Sequence, residues 1–306
     1  MKKIYTLALI LFISIGNLFA QNNRDLLDRL SAIKMDPIVY YNFDGYKVTS
    51  KHYSDLEFSE ENIKKNILIF NPQLEFKETY DLQTSTEIAE TNYMAYFQLD
   101  DENLGAIYYV LYFLKTKENK VLSFEFKKPG TRLALDEIEL MNRVLNDEIP
   151  EEVYTTTDTE YINFVGRKIH LGKDRCNYMD LNSIQCPYYG QINWSIHKTL
   201  ESAKETVNIQ FLSAKSNKDY FYRIEEQEVD LIFEGVETKA KKAIFYTESG
   251  IQSVTSGKQL IVYYIATEVR GKFVSTVFSF WDNDYIDPET KLPFLANQFI
   301  VLKKRD

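Results

Sequence analysis

The chain is poor in the residues that mark reactive sites, with two cysteines, three histidines and two tryptophans among 306 residues. It contains no Gly-x-Ser-x-Gly elbow, no phosphate-binding loop, no dinucleotide fingerprint and no His-Glu-x-x-His sequence. With three histidines, a serine or cysteine hydrolase would have few possible general bases. The sequence therefore disfavours an enzyme, and it predicts no cofactor.

Glycine and proline are also scarce, at 11 and 7 residues. This is not the composition of a disordered or low-complexity chain, and 44% apolar residues suffice for sizeable cores. Tyrosine and phenylalanine number 22 and 20, and they concentrate in short alternating runs. Because aromatic residues are enriched in strands, the composition favours β-sheet.

No apolar run is long enough to cross a membrane. The stretch Thr6–Ile15 has about ten residues, short of the ~20 that span the hydrocarbon core. It follows Lys2 and Lys3 and precedes Leu18-Phe19-Ala20, so residues 1–20 are predicted to be a signal peptide. The ending Phe-Ala-Gln resembles signal peptides of Bacteroidetes-type bacteria. We expect an exported protein, periplasmic or secreted, without a transmembrane span after cleavage.

The expected mature chain is strongly acidic. Removing residues 1–20 removes two lysines and no acid, which changes the formal net charge from −9 to −11. Nucleic-acid binding depends on clustered Lys and Arg that neutralise phosphates. No nucleic-acid partner is therefore predicted.

One short sequence occurs twice: Asn42–Val48 returns as Asn163–Ile169, with four of the seven positions identical. Similar elements then follow each copy in the same order. They are a helix (from Ser59; Ser195–Lys204), an Ala-aromatic strand (Ala95–Phe97; Ala243–Phe245), an apolar strand (Ile107–Leu114; Leu260–Ile265), a one-faced strand (Val121–Phe126; Phe273–Phe280) and a closing helix (Arg132–Asn146; Phe294–Leu302). The order predicts a tandem duplication.

The predicted fold class is α+β, with two tandem, internally related domains, each a twisted antiparallel sheet packed with one or two helices. The first domain is placed at 37–148, a polar linker at 149–160, and the second domain, with a cysteine-bearing insertion, at 161–306. Residues 21–36 are predicted to form an N-terminal helix, because Leu26, Leu27, Leu30 and Ile33 share one helical face. The order of elements resembles Mog1/PsbP-like α+β domains at the level of layout.

The two cysteines, Cys176 and Cys186, lie ten residues apart. In an oxidising compartment such a pair is expected to form a disulfide. The alternative is a zinc site that adds His170 and His197 as ligands. Structural zinc sites usually place one ligand pair two to four residues apart, and none of these spacings does so. The disulfide is therefore the prediction, and the predicted metal set is none.

An aromatic segment follows the second cysteine. It supplies the predicted binding residues Tyr188, Tyr189, Gln191, Asn193 and Trp194. Tyrosine and tryptophan combine apolar area with a polar group, as pocket walls require. The alternative is a loop clamped onto the core by these same aromatic side chains.

An acidic turn offers a second possible metal site. Asp282 and Asp284 are oxygen ligands of the kind that calcium prefers, but the segment lacks the glycine and glutamate of an EF-hand loop. A turn rich in Asp and Asn explains the same residues without a metal.

We therefore expect a non-enzymatic binding role for an exported protein, with a protein, peptide or glycan partner in the cell envelope. A cleft at the seam between the halves is the expected location. The alternative is a hydrolase acting on an envelope polymer, since the 45 acidic residues allow many carboxylate pairs. The sequence predicts no oligomeric state.

Overall fold

The chain folds into two antiparallel sheets of six and eight strands and a separate two-stranded hairpin. The computed structural model describes residues 25–67, 82–101, 105–173, 175–216, 220–247 and 257–303. The predicted signal peptide at 1–20 lies outside the described residues. Helices are few, so the sheet-rich α+β class is confirmed.

The first unit is the six-stranded sheet with two helices. Its strands are β1 (Ser31–Met35), β2 (Ile38–Phe43), β3 (Tyr46–Glu57), β4 (Asn92–Asp101), β5 (Gly105–Lys115) and β6 (Lys120–Pro129), and its helices are α1 (Glu60–Asn66) and α2 (Ala134–Leu145). The strand order is β1-β2-β3-β6-β5-β4. Helix α1 begins where predicted, because Ser59 Oγ accepts a hydrogen bond from Asn62 N at 3.1 Å.

Strand β5 is covered on both faces, which accounts for its continuous apolar sequence. Val110, Tyr112 and Leu114 belong to the core that includes Met141 of α2. Leu111, like other residues of the opposite face, packs in a smaller core that includes the α1 helix.

The second unit contains the eight-stranded sheet. Its strands are β9 (Asn177–Asp180), β10 (Ser183–Cys186), β11 (Gly190–His197), β12 (Phe221–Phe233), β13 (Val236–Thr247), β14 (Gln259–Val269), β15 (Lys272–Trp281) and β16 (Ile300–Leu302), its helices are α3 (Leu200–Ser216) and α4 (Phe294–Asn297), and the separate hairpin is β7 (Tyr161–Phe164) with β8 (Arg167–His170). The order is β16-β12-β13-β14-β15-β11-β10-β9. Strand β14 repeats the pattern of β5: Tyr263 and Ile265 face one core, and Val262 and Tyr264 face α3.

The strand order of the first sheet recurs inside the second. The series β1-β2-β3-β6-β5-β4 corresponds to β9-β10-β11-β15-β14-β13. The segments Ala95–Phe97 and Ala243–Phe245 fall on corresponding strands, β4 and β13. The seven-residue match does not: Asn42–Val48 forms the turn between β2 and β3, whereas Asn163–Ile169 forms the separate β7–β8 hairpin. The hairpin that corresponds to β2–β3 is β10–β11.

The predicted N-terminal helix at 21–36 is wrong in its described part. Residues Leu26–Asp28 form one 3₁₀ turn, and Ser31–Met35 is strand β1. Pairing with β2 satisfies the backbone of β1, while Leu26 and Leu30 still reach the core of the first sheet. The spacing of the apolar residues correctly predicted that this segment packs on the core, but it predicted a helix where the structure has a 3₁₀ turn and a strand.

Two helices of the second unit are also displaced from their predicted positions. The helix predicted at Ser195–Lys204 begins at Leu200, because residues up to His197 belong to β11. The helix predicted at Phe294–Leu302 ends at Asn297, and the chain then joins the sheet as β16, beside β12. Edge pairing ends the helix early, since these last residues gain strand hydrogen bonds instead.

Candidate functional site

The two cysteines form a disulfide, as predicted, with an S–S distance of 2.02 Å. The four residues of the alternative zinc arrangement do not meet. His170 is largely exposed and lies 3.6 Å from Glu160, whereas His197 is fully buried. In the described ranges, no three His, Cys, Asp or Glu side chains are placed to hold a metal ion.

The predicted aromatic site is divided by the structure. Tyr188 and Tyr189 lie in the turn after β10, where their rings approach Tyr285 at centroid distances of 6.1 and 5.3 Å. Trp194 is only 6% exposed and packs in the core of the second unit against Phe164. Of the predicted set, the two tyrosines are therefore together on the surface and the tryptophan is not with them.

The two amides of the predicted site lie on strand β11. Gln191 pairs with Ser279 and Asn193 with Val277, both on β15. Alternation along the strand directs these side chains to the face opposite Trp194. They are half-buried and do not join the tyrosines.

The acidic turn is occupied by its own hydrogen bonds. Asp282 Oδ1 accepts from the Lys258 backbone N–H at 2.9 Å, and Asp284 Oδ2 accepts from the Trp281 N–H at 3.0 Å. Burial raises the pKa of the Asp284 carboxyl. Asp284 thus caps its own turn, which agrees with the alternative interpretation of this segment, and Asp282 connects the turn to the backbone at Lys258.

A buried charge cluster, which was not predicted from the sequence, joins the two units. Asp44, at the tip of the β2–β3 turn, forms an ion pair with Arg29, and both side chains are fully buried. Arg29 also reaches Asp136 at 3.2 Å. From the second unit, the Lys198 backbone N–H donates to Asp44 Oδ1 at 2.7 Å. The first unit therefore inserts a charged turn into the second.

His197 belongs to the same cluster. Its Nε2 lies 2.7 Å from Ser275 Oγ and its Nδ1 lies 3.1 Å from Ser202 Oγ and 3.8 Å from Asp44 Oδ1. Burial, with the nearby Lys128 and Arg29 cations, lowers the pKa of His197 to about 3. The set has the residue types of a hydrolase triad. His197, Asp44 and Ser275 are buried and Ser202 is half-buried, and their contacts link the β2–β3 turn of the first unit to β11, β15 and α3 of the second.

A groove open to solvent runs along the seam between the units. We call it the seam groove; it has a volume of about 490 Å³. Its lining residues come from β1, β2, the linker and β9, and they are Ile33, Met35, Tyr40, Thr157, Thr159, Asn177, Tyr178, Met179, Asp180 and Leu181. A hollow of about 210 Å³ adjoins it and shares Tyr40, Asp180 and Leu181.

Strand edges form both walls of the seam groove. Strand β1 ends the first sheet and β9 ends the second. The linker covers part of the β1 edge, where the Thr155 N–H donates to Ala32 O at 2.8 Å. At the junction with the smaller hollow, Lys47 Nζ and Asp180 Oδ2 form an ion pair of 2.5 Å across the seam.

The seam groove is mostly apolar and carries exposed methionines. Met35, on β1, is 54% exposed, and Met179, on β9, is 60% exposed. Hydroxyls from Thr157 and Thr159 supply polar groups on the linker wall. Methionine is flexible and polarisable, which suits surfaces that adapt to a bound partner.

No known protein family matches the sequence, and no curated protein does so either. Among solved structures, one match is the crystal structure of the di-domain ARO/CYC StfQ from the steffimycin biosynthetic pathway. The alignment covers 90% of this chain and 75% of that chain, at 8% identity and a TM-score of 0.13. A similarity this low does not indicate a shared fold. In the part of the chain that the structure describes, no helix is long and apolar enough to cross a membrane.

Sequence reasoning predicted a cleft at the seam in general terms but named none of the residues that line the seam groove. Met35 and Met179 are isolated in the sequence, and each is flanked by polar residues. They come together because the sheet edges meet, which depends on tertiary structure. The groove could have been located from the two strands that end the sheets, but these strands are identified only when the strand order is known.

Proposed function

We propose that this is an exported, non-enzymatic binding protein that holds an extended peptide segment of a partner in the seam groove. The observation that carries the proposal is a groove walled by two sheet-ending strands, each contributing an exposed methionine. A disulfide is consistent with an oxidising compartment outside the cytoplasm. The matching strand orders support our inference that the two units arose by duplication, which would place the groove between related halves.

The chemistry of the seam groove favours a peptide over a glycan. An extended peptide can pair with a free strand edge and place alternate side chains against apolar walls. Met35, Met179 and Tyr178 provide such walls, and the Thr157 hydroxyl and the Asn177 amide beside them can satisfy peptide groups. The one carboxylate of its lining, Asp180, is already paired with Lys47. The groove therefore has few free charges to recognise a charged ligand.

Peptides displayed in a random library and selected on residues 21–306 provide the test. We expect the selected sequences to be apolar and to bind the unaltered protein in solution. Met179→Glu should weaken that binding by roughly tenfold or more, which corresponds to about 1.4 kcal/mol. Leu135→Glu is the matched control, since Leu135 is 78% exposed and lies outside the groove. Selected peptides that bind both variants as well as the unaltered protein would refute the proposal.

A further inference from the structure

Tyr188 is held in an unfavourable backbone conformation without being buried. Its φ is +66°, in the left-handed region that a bulky side chain rarely adopts. Its side chain is 63% exposed, so no core packing compensates for this strain. The Tyr189 N–H donates to Cys186 O and the Tyr285 N–H to Tyr188 O, both at 2.8 Å. The neighbouring disulfide and these hydrogen bonds hold the backbone of the turn in place, and strain kept in this way is typical of functional positions.

Tyr188 is one member of a continuous surface cluster. Tyr285 is 66% exposed, and its ring lies between those of Tyr188 and Tyr189. Tyr189 in turn contacts Phe294, at a centroid distance of 6.2 Å. We name Tyr188, Tyr189, Tyr285 and Phe294 the tyrosine cluster. Tyr188 and Tyr285, the two exposed rings, present apolar faces and phenolic hydroxyls to solvent. This combination can stack against a sugar ring and form hydrogen bonds with its hydroxyls.

A cation lies at the other end of the tyrosine cluster. The Arg175 guanidinium is 4.6 Å from the Phe294 ring centroid and 5.3 Å from that of Tyr189. Arg175 is exposed and forms no ion pair with any residue for which the structure gives a position. Stacking on the rings orients its planar fork, which matches the geometry of a carboxylate. Lys173 adds a second exposed cation two residues away.

We propose that the tyrosine cluster and Arg175 form a binding site for a carboxylate-bearing sugar, such as a uronic acid residue of an acidic glycan. One sugar ring of the glycan stacks on Tyr188 and Tyr285, and the carboxylate of a neighbouring sugar residue pairs with Arg175 at the other end of the cluster. Charge complementarity selects the acidic sugar, because Arg175 and Lys173 place two exposed cations at this end of the cluster. The site shares no residue with the seam groove, so it does not depend on the proposed function.

The test uses a galacturonic acid trimer as the probe, with maltotriose as the neutral comparison, in titration calorimetry on residues 21–306. We expect the acidic trimer to bind and the neutral trimer to bind at least roughly tenfold more weakly. Added salt should weaken the acidic interaction, since it depends on charge. Arg175→Gln should remove the preference for the acidic trimer.

Variants of the rings separate binding from folding. Tyr188→Gly removes one ring and also relieves the backbone strain, so it should abolish binding without lowering the melting temperature. Tyr285→Ala should have the same effect on binding. Tyr222→Ala is the control, because Tyr222 is 62% exposed and lies outside the tyrosine cluster. Met179→Glu, in the seam groove, should leave sugar binding unchanged.

Three outcomes would overturn the proposal. The first is absence of binding to the acidic trimer at millimolar concentration. The second is binding that survives both Tyr188→Gly and Arg175→Gln unchanged. The third is a proline-rich peptide that occupies the tyrosine cluster while neither sugar binds, since tyrosine-lined surfaces also accept that class of ligand.

Discussion

Substitution of Gly45, at the tip of the β2–β3 turn, would measure how closely the first unit packs against the second. Its φ is +76°, and a Cβ at this position would lie 2.8 Å from Thr206 Oγ1 of the second unit. Gly166, in the sequence-related β7–β8 hairpin, has a similar φ of +82° but no atom within 4 Å of such a Cβ. The two glycines therefore share the backbone requirement and differ in the contact.

We expect Gly166→Ala to lower the free energy of unfolding by about 1 kcal/mol, the penalty of a left-handed alanine. Gly45→Ala carries the same penalty and adds overpacking against Thr206, of roughly 1 to 3 kcal/mol. The total for Gly45→Ala is then about 2 to 4 kcal/mol. Urea unfolding followed by far-ultraviolet circular dichroism measures both, provided that the dependence on urea is unchanged.

A second substitution isolates the contact. Thr206 Oγ1 is buried and has no hydrogen-bond partner among the described residues, so Thr206→Ala alone should have a small effect. Combined with Gly45→Ala, it should reduce the loss to that of Gly166→Ala. If Gly45→Ala and Gly166→Ala are equally destabilising, or if Thr206→Ala restores nothing, then the turn is not packed into the second unit as described.

Three further predictions concern the buried cluster and the disulfide. Asp44→Asn should lower the free energy of unfolding by about 3 kcal/mol because it removes one of the two carboxylates that the buried Arg29 contacts, whereas Asp180→Asn, in an exposed pair, should lower it by about 1 kcal/mol or less; equal losses in urea unfolding would contradict this. Burial lowers the pKa of His197 to about 3, so between about pH 3 and pH 6.5 His197 is protonated in the unfolded chain and neutral in the folded chain. Stability should therefore fall by about 1.5 kcal/mol from pH 6.5 to pH 5, and a His197→Gln variant that keeps this slope would argue against the assignment. Reducing the disulfide should lower stability by roughly 2 to 3 kcal/mol, read as a lower melting temperature with dithiothreitol; an unchanged melting temperature would show that the loop is fixed by other contacts.

Local patterns predicted the elements whose stability is local or whose burial is regular. The apolar run Ile107–Leu114 predicted a strand, and strand β5 forms there with both of its faces covered. The serine followed by two glutamates at 59–61 predicted the start of α1. The disulfide was predicted from the number and spacing of the cysteines, because the chain has two of them and they lie ten residues apart.

The seven-residue match misled because it reflects turn chemistry. In both copies the third and fourth residues have positive φ, at Asp44-Gly45 and at Val165-Gly166. A two-residue hairpin turn of this kind requires glycine at its second position. The same backbone geometry occurs at Glu234-Gly235 and Arg270-Gly271. Such a match marks a type of turn, and only strand order shows which hairpins correspond.

The predicted binding residues separated because sequence proximity does not fix orientation. Trp194 is six residues from Tyr188, yet it lies on a strand whose alternation turns it into the core. Tyr285 is far from Tyr188 in the sequence and completes the exposed cluster. A turn and the strand that follows it thus present their aromatic side chains to different surroundings.

The buried turn at Asp44 sets a limit on where this chain can be divided. The polar composition of 149–160 suggests a cut there. A fragment ending in this segment would, however, expose the Asp44 turn, which is buried against the second unit in the whole chain. The complementary fragment would lose the carboxylate that caps the Lys198 backbone. Neither fragment should be as stable as the whole, so the two units are expected to fold as one interdependent structure.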